Sequence, residues 1–139
     1  MLVTISKTIL VTVRISEHKR NGMSNFLYLF RGGDENYNKL SQEEKQAHMQ
    51  VWGKWMGELQ EKGKLLDGLP LAADGRVVEN RGEVITNGPY AEGAELVGGY
   101  LIVSAKDLDE ATEISKTCPI FDYEGSVVEI REIVDMEGH

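Results

Sequence analysis

The 139-residue sequence has one cysteine, three histidines and three prolines, and no apolar run long enough to span a bilayer. A single cysteine, Cys118, excludes an intrachain disulfide and any cysteine-based zinc site, and it fits a reducing, cytoplasmic setting. Of the histidines, His18 lies near the start and His139 ends the chain, so only His48 falls inside the folded region. One such histidine among scattered carboxylates makes no metal-ligand set, and no metal or other cofactor is expected. Basic charge is also short, with 15 Lys and Arg against 23 Asp and Glu, a net of −8. Residues 1–22 hold four of the basic side chains and one acid, so the rest carries 11 basic and 22 acidic groups. A domain that acidic repels phosphate backbones and anionic lipid, which argues against nucleic-acid or membrane partners. Gly32-Gly33 and Gly98-Gly99 lack the lysine and spacing of phosphate loops, and read as turn and strand-start glycines.

What is present suits one small domain: 41% hydrophobic residues on a chain of this length can bury a single core. Residues 1–22 form a separate N-terminal extension. Lys7 and Arg14 interrupt the apolar core a signal peptide needs, and Met23 offers a second start, so an upstream extension is the preferred reading. A β-branched run from Ile9 to Ile15 alternatively supplies an extra edge strand, and the shortage of acids leaves an organelle-targeting peptide as a minority view. The domain proper is assigned to residues 23–139.

Phe26-Leu27-Tyr28-Leu29-Phe30 is a continuous apolar run, as in a strand buried on both faces. Ser41-Gln42-Glu43-Glu44 then reads as a capping box opening a helix to about Lys62, with His48, Trp52, Trp55, Met56 and Leu59 as its apolar stripe. Residues 64–71 read as a strand ending near Pro70. Val77-Val78 and Val84-Ile85 suit a hairpin with Asn80-Arg81-Gly82 at its tip. Tyr100 to Val103 is another strand apolar on both faces. Asp107 caps a second helix, with Leu108, Ala111 and Ile114 inward, and residues 127–133 form the last strand. The order is α+β: a ferredoxin-like βαββαβ domain with an inserted β-hairpin. Right-handed crossovers put both helices on one face, so the other apolar face calls for a second copy of the sheet. A homodimer through the sheet face is expected.

Val84-Ile85-Thr86-Asn87-Gly88-Pro89-Tyr90-Ala91-Glu92, followed by Val97-Gly98-Gly99-Tyr100, resembles the signature of the YCII-related, or DGPF-domain, family. Phe26 to Asp34, the Ala47-His48-Met49 helix with its two tryptophans, and Ser126 to Ile133 extend the resemblance over roughly residues 23–136. It implies a dimeric α+β barrel of ferredoxin-like subunits, with a histidine and an aspartate as a suggested active pair in some members. Some members occur beside or fused to sigma factors, but this acidic chain shows no helix-turn-helix. Asn87 stands where the family usually has aspartate, and Tyr90 where it has phenylalanine.

Each candidate site residue has a functional and a structural reading. His48 can act as a general base near neutral pH, or pack beside Trp52 as a core histidine. Asn87 cannot accept a proton as aspartate can, so it serves either an Asx-turn before Gly88-Pro89 or a ligand hydrogen bond, with Tyr90 at the pocket mouth. Asp67 interrupts an apolar strand and partners His48 if it faces the helix; otherwise it points to solvent from an edge. Arg31 can grip a carboxylate, or pair with Asp34 or Glu35 on the surface. Trp52 and Trp55 wall an apolar pocket or fill core, and Cys118 is read as an inert helix-end thiol. The expected site is a cleft between helix 41–62 and the sheet, lined by His48, Trp52, Asp67 and Asn87–Tyr90. The favoured function is a small-molecule-binding or accessory homodimeric domain. The alternative is a cofactor-independent isomerase, lyase or hydrolase acting on a small, anionic organic substrate with His48 as base.

Overall fold

The computed structural model describes residues 22–32, 34–91 and 95–136. The expectations for the N-terminal extension and for His139 lie outside the described residues. A four-stranded antiparallel sheet is formed by β1 (Ser24–Arg31), β2 (Leu65–Pro70), β5 (Val97–Ala105) and β6 (Val127–Glu132), in the order β2-β5-β1-β6. That is the split-βαβ, ferredoxin-like arrangement. The helices are α1 (Asp34–Asn38), α2 (Gln42–Glu61) and α3 (Leu108–Ser115). Between β2 and β5 the chain makes a separate two-stranded ladder, β3 (Arg76–Glu79) with β4 (Val84–Asn87), in which Val78 faces Ile85.

Strand alternation sorts the sheet into two faces. Phe26, Tyr28 and Phe30 of β1 are buried and belong to one core cluster with Leu101, Val103, Trp55, Leu59 and Ala111. Both α2 and α3 therefore cover the same face. The intervening Leu27 and Leu29, with Ile102 opposite Leu27, lie on the other face and are half-buried. Tyr28 is fully buried and its hydroxyl donates to the Ala111 carbonyl, tying β1 to α3, while burial holds its phenol well above the ordinary range. Trp55 Nε1–H donates to Thr117 Oγ1 at 2.8 Å, fastening α2 to the segment after α3.

The Ser41–Glu44 capping box is present in both directions, and Asp107 caps α3 by accepting from the Glu110 amide at 2.8 Å. One inward assignment needs correcting. Leu108 is 53% exposed, because it sits in the first turn of α3 beyond the sheet, while Ala111 and Ile114 reach the core. Two short elements were not anticipated: α1, and a 3-10 turn at Pro119–Asp122. Both matter for the site.

Candidate functional site

The cavity follows from how the helix-facing rows of the sheet are filled. Phe26, Val103 and Leu65 form a row of three side chains under the helices. In the next row Tyr28 and Leu101 are joined by Gly68, and in the row beyond it Phe30 is joined by Gly99 and Pro70. Gly68 is pressed so close to β5 that an added Cβ would run into Leu101 and the Tyr100 carbonyl. Gly68 and Gly99 contribute no side chain to the sheet beneath the first half of α2. A cavity of about 350 Å³ lies there, floored by Gly68 and Gly99 and walled by Phe30, His48, Trp52 and Met56. Tyr37 from α1, and Ile120 and Tyr123 from the 3-10 turn and its exit, close the remaining side.

His48 sits in this wall among aromatic rings. The Tyr123 ring is 4.7 Å away at 75°, and the Tyr37 ring is 5.9 Å away. Trp52, one turn on, donates its Nε1–H to His48 Nε2 at 2.8 Å. An Nε2 that accepts a hydrogen bond carries no proton, so the proton of the neutral ring lies on Nδ1. Burial pushes the imidazole below its ordinary value and Asp122 partly opposes this, so His48 is neutral at pH 7. Its Nδ1–H makes no hydrogen bond to the described residues. The Ser126 hydroxyl, in the same cavity wall, is buried without any hydrogen-bond partner.

The backbone of that wall is held by a close approach. Gly32 has φ of 77°, and an added Cβ would collide with the Gly125 carbonyl oxygen. The turn after β1 is thereby packed against the turn that presents Ser126. Among the described residues no cluster of His, Cys, Asp and Glu is arranged to hold a metal, and no helix is long and apolar enough to cross a membrane.

The YCII-related domain profile matches residues 33–137. The chain belongs to the YCII-related family. No protein with curated annotation matches it. Among solved structures it is similar to the 5-chloro-2-hydroxyhydroquinone dehydrochlorinase of Burkholderia phenoliruptrix AC1100, determined in complex with 2,5-dihydroxybenzoquinone. That match has 14% identity and a TM-score of 0.48, covering 82% of this chain and 97% of the other. A likeness at that level transfers no chemistry.

In this YCII-related domain the residues singled out from sequence fall into three separate places. His48 and Trp52 meet in the cavity, while Trp55 is core. Asp67 pairs with Ile102 on the opposite face of the sheet, so it cannot partner His48; its carboxylate accepts from the Gly68 amide at 2.8 Å. Arg31 is on that opposite face too. It forms an ion pair with Glu129 at 2.9 Å and donates to the Glu95 carbonyl; the side chains of the expected partners Asp34 and Glu35 are not among those described. Asn87, Gly88, Pro89 and Tyr90 do not line the cavity. Asn87 ends β4 opposite Arg76, the Gly88 amide bonds to the Gly75 carbonyl at the base of the ladder, and Tyr90 is 90% exposed. Gly98 and Gly99 lie within β5 and serve as floor. The residues that sequence reasoning missed, Tyr37, Ile120, Tyr123 and Ser126, come from short helical turns and the turn before β6, too short to show periodicity.

Proposed function

We propose that this YCII-related domain is a homodimeric small-molecule-binding module whose ligand occupies the cavity between α2 and the sheet. The observation that carries the reading is the cavity itself. Protein interiors close to high density, and a space of about 350 Å³ with Gly68 and Gly99 in its lining is in the range of ligand sites, about 300–1,000 Å³. Its wall is mostly apolar and aromatic with a few polar groups, as ligand sites are. The second copy would cover the half-buried Leu27, Leu29 and Ile102 on the other face of the sheet, leaving the cavity face free. The free, buried Cys118 suits a reducing cytoplasm.

The enzyme reading, with His48 as general base in an isomerase, lyase or hydrolase, is favoured by a neutral imidazole inside a cavity. It asks more of the site. A base needs a free lone pair, and the Nε2 lone pair accepts from Trp52. Proton abstraction would require that bond to break, so binding is the preferred activity. Neither reading needs a cofactor. A screen of small organic fragments by 15N NMR tests the proposal through the Trp52 indole N–H. Binders are expected to shift that signal and leave the β3–β4 ladder unmoved; shifts confined to the ladder or to the Arg31 face would refute it.

A further inference from the structure

We infer that the ligand is an uncharged, flat, largely apolar molecule, an aromatic or conjugated ring, carrying an acceptor oxygen for His48 Nδ1–H. The inference rests on the cavity being the ligand site, and adds to it the chemistry the site selects.

Among the described residues no Lys, Arg, Asp or Glu lines the cavity. The nearby charges face the wall residues from outside. Asp122 acts on His48 and Tyr123, Glu44 acts on Tyr123, and Lys45 stands over the Tyr37 ring at 5.4 Å. Two carboxylates against one cation offer an anion no net attraction. Arg31, the residue best suited to bind a carboxylate, is held by Glu129 on the far side of the sheet. An ion entering this space would lose its hydration without gaining a partner.

Polar groups of a ligand site need partners, and His48 Nδ1–H, on a residue of the wall, makes no hydrogen bond among the described residues, while the unpartnered Ser126 Oγ is sealed within the wall. A ligand that covers the His48 Nδ1–H with apolar surface binds poorly. Trp52 has a distinct part here. By donating to Nε2 it fixes the tautomer that points a proton, rather than a lone pair, at the ligand, which makes Trp52 a positioning residue. Aromatic rings around His48 and the Phe30–Trp52 pair, 5.5 Å apart at 87°, supply edges and faces on which a flat ring packs well.

The test compares three probes on the wild-type protein by 15N NMR titration: 4-hydroxyacetophenone, 4-hydroxybenzoate, and 1-(4-hydroxycyclohexyl)ethanone. The first has a carbonyl acceptor, a flat ring and a hydroxyl; the second replaces the ketone with a carboxylate; the third saturates the ring. We expect 4-hydroxyacetophenone to shift the Trp52 indole signal at concentrations at least tenfold below either of the others. His48→Phe should weaken it about five- to tenfold, the loss of one hydrogen bond. In Trp52→Phe the imidazole 15N shifts should move from an Nδ1–H pattern toward a mixed one, which a purely structural role would not produce. If the carboxylate, or the saturated ketone, binds as tightly as 4-hydroxyacetophenone, the ligand class is wrong while the site stands. If no probe moves the Trp52 signal, both the class and the site are overturned.

Discussion

Replacing Gly32 with alanine tests whether the wall of the cavity depends on the close approach of two turns, and Gly125→Ala is its natural control. Both glycines have positive φ, 77° and 86°. A side chain in that region costs about 1–2 kcal/mol at either site. They differ in what a Cβ would meet. At Gly125 there is nothing within 4 Å, whereas at Gly32 the Gly125 carbonyl oxygen is in the way and the Ser126 Cα is 3.5 Å off. The carbonyl must retreat, and forcing such a backbone shift adds about 1–3 kcal/mol. Gly125→Ala should therefore lose about 1–2 kcal/mol and Gly32→Ala about 2–5 kcal/mol. Urea unfolding reads the difference. With a slope of about 1.5 kcal/mol/M, Gly125→Ala lowers the midpoint by about 1 M and Gly32→Ala by about 2 M. Because the Gly32 clash displaces the turn bearing Ser126, ligand affinity should also fall in Gly32→Ala and hold in Gly125→Ala. Equal destabilisation by the two substitutions would refute the reasoning, since only conformational strain would then be at work.

Three further outcomes are expected. His48 has a folded-state pKa lowered chiefly by burial, with Asp122 opposing, so its contribution to stability is complete above about 6.5 and is lost as pH falls through the folded value. Urea unfolding at pH 7.5 and pH 5 should show a smaller loss of stability in His48→Phe than in the wild type; equal losses would contradict this. Burial pushes the Cys118 thiol up to about 12, helped by Asp122 and opposed by the Ile120 backbone, so a thiol reagent at pH 8 should label it only after unfolding. Leu29→Glu on the uncovered sheet face should convert a dimer to a monomer in sedimentation velocity while leaving α2 and its cavity folded; a monomeric wild type would remove the dimer from the account.

Much of the fold was legible in the sequence because its signals are local and repetitive. The continuous apolar run of β1, the capping box at Ser41 and Glu44, and the cap at Asp107 each state a conformation within a few residues. His48 and Trp52 were legible as site residues for a similar reason, since one helical turn brings them together. Asp67 was not, because its side depends on a register shift between Leu65 and Asp67 that no pattern in β2 announces. The loop Asn87–Tyr90 drew attention as a motif, yet it belongs to the base of the β3–β4 ladder, away from the cavity. Tyr37, Tyr123 and Ser126 could be found only by folding the chain, since they reach the cavity through tertiary packing of turns. The glycines were the overlooked signal. Gly68 and Gly99 occupy core-facing positions of neighbouring strands, where an added Cβ would crowd the adjacent strand, and both line the cavity.

The central claim is that a ligand binds over those glycines and beside His48. A crystal structure of the protein soaked with 4-hydroxyacetophenone measures it directly. The account predicts density for the ring between Trp52 and the Gly68–Gly99 floor, with an oxygen within hydrogen-bonding distance of His48 Nδ1. Density only on the Arg31–Asp67 face of the sheet, or only at the Asn87–Tyr90 turn, would contradict it.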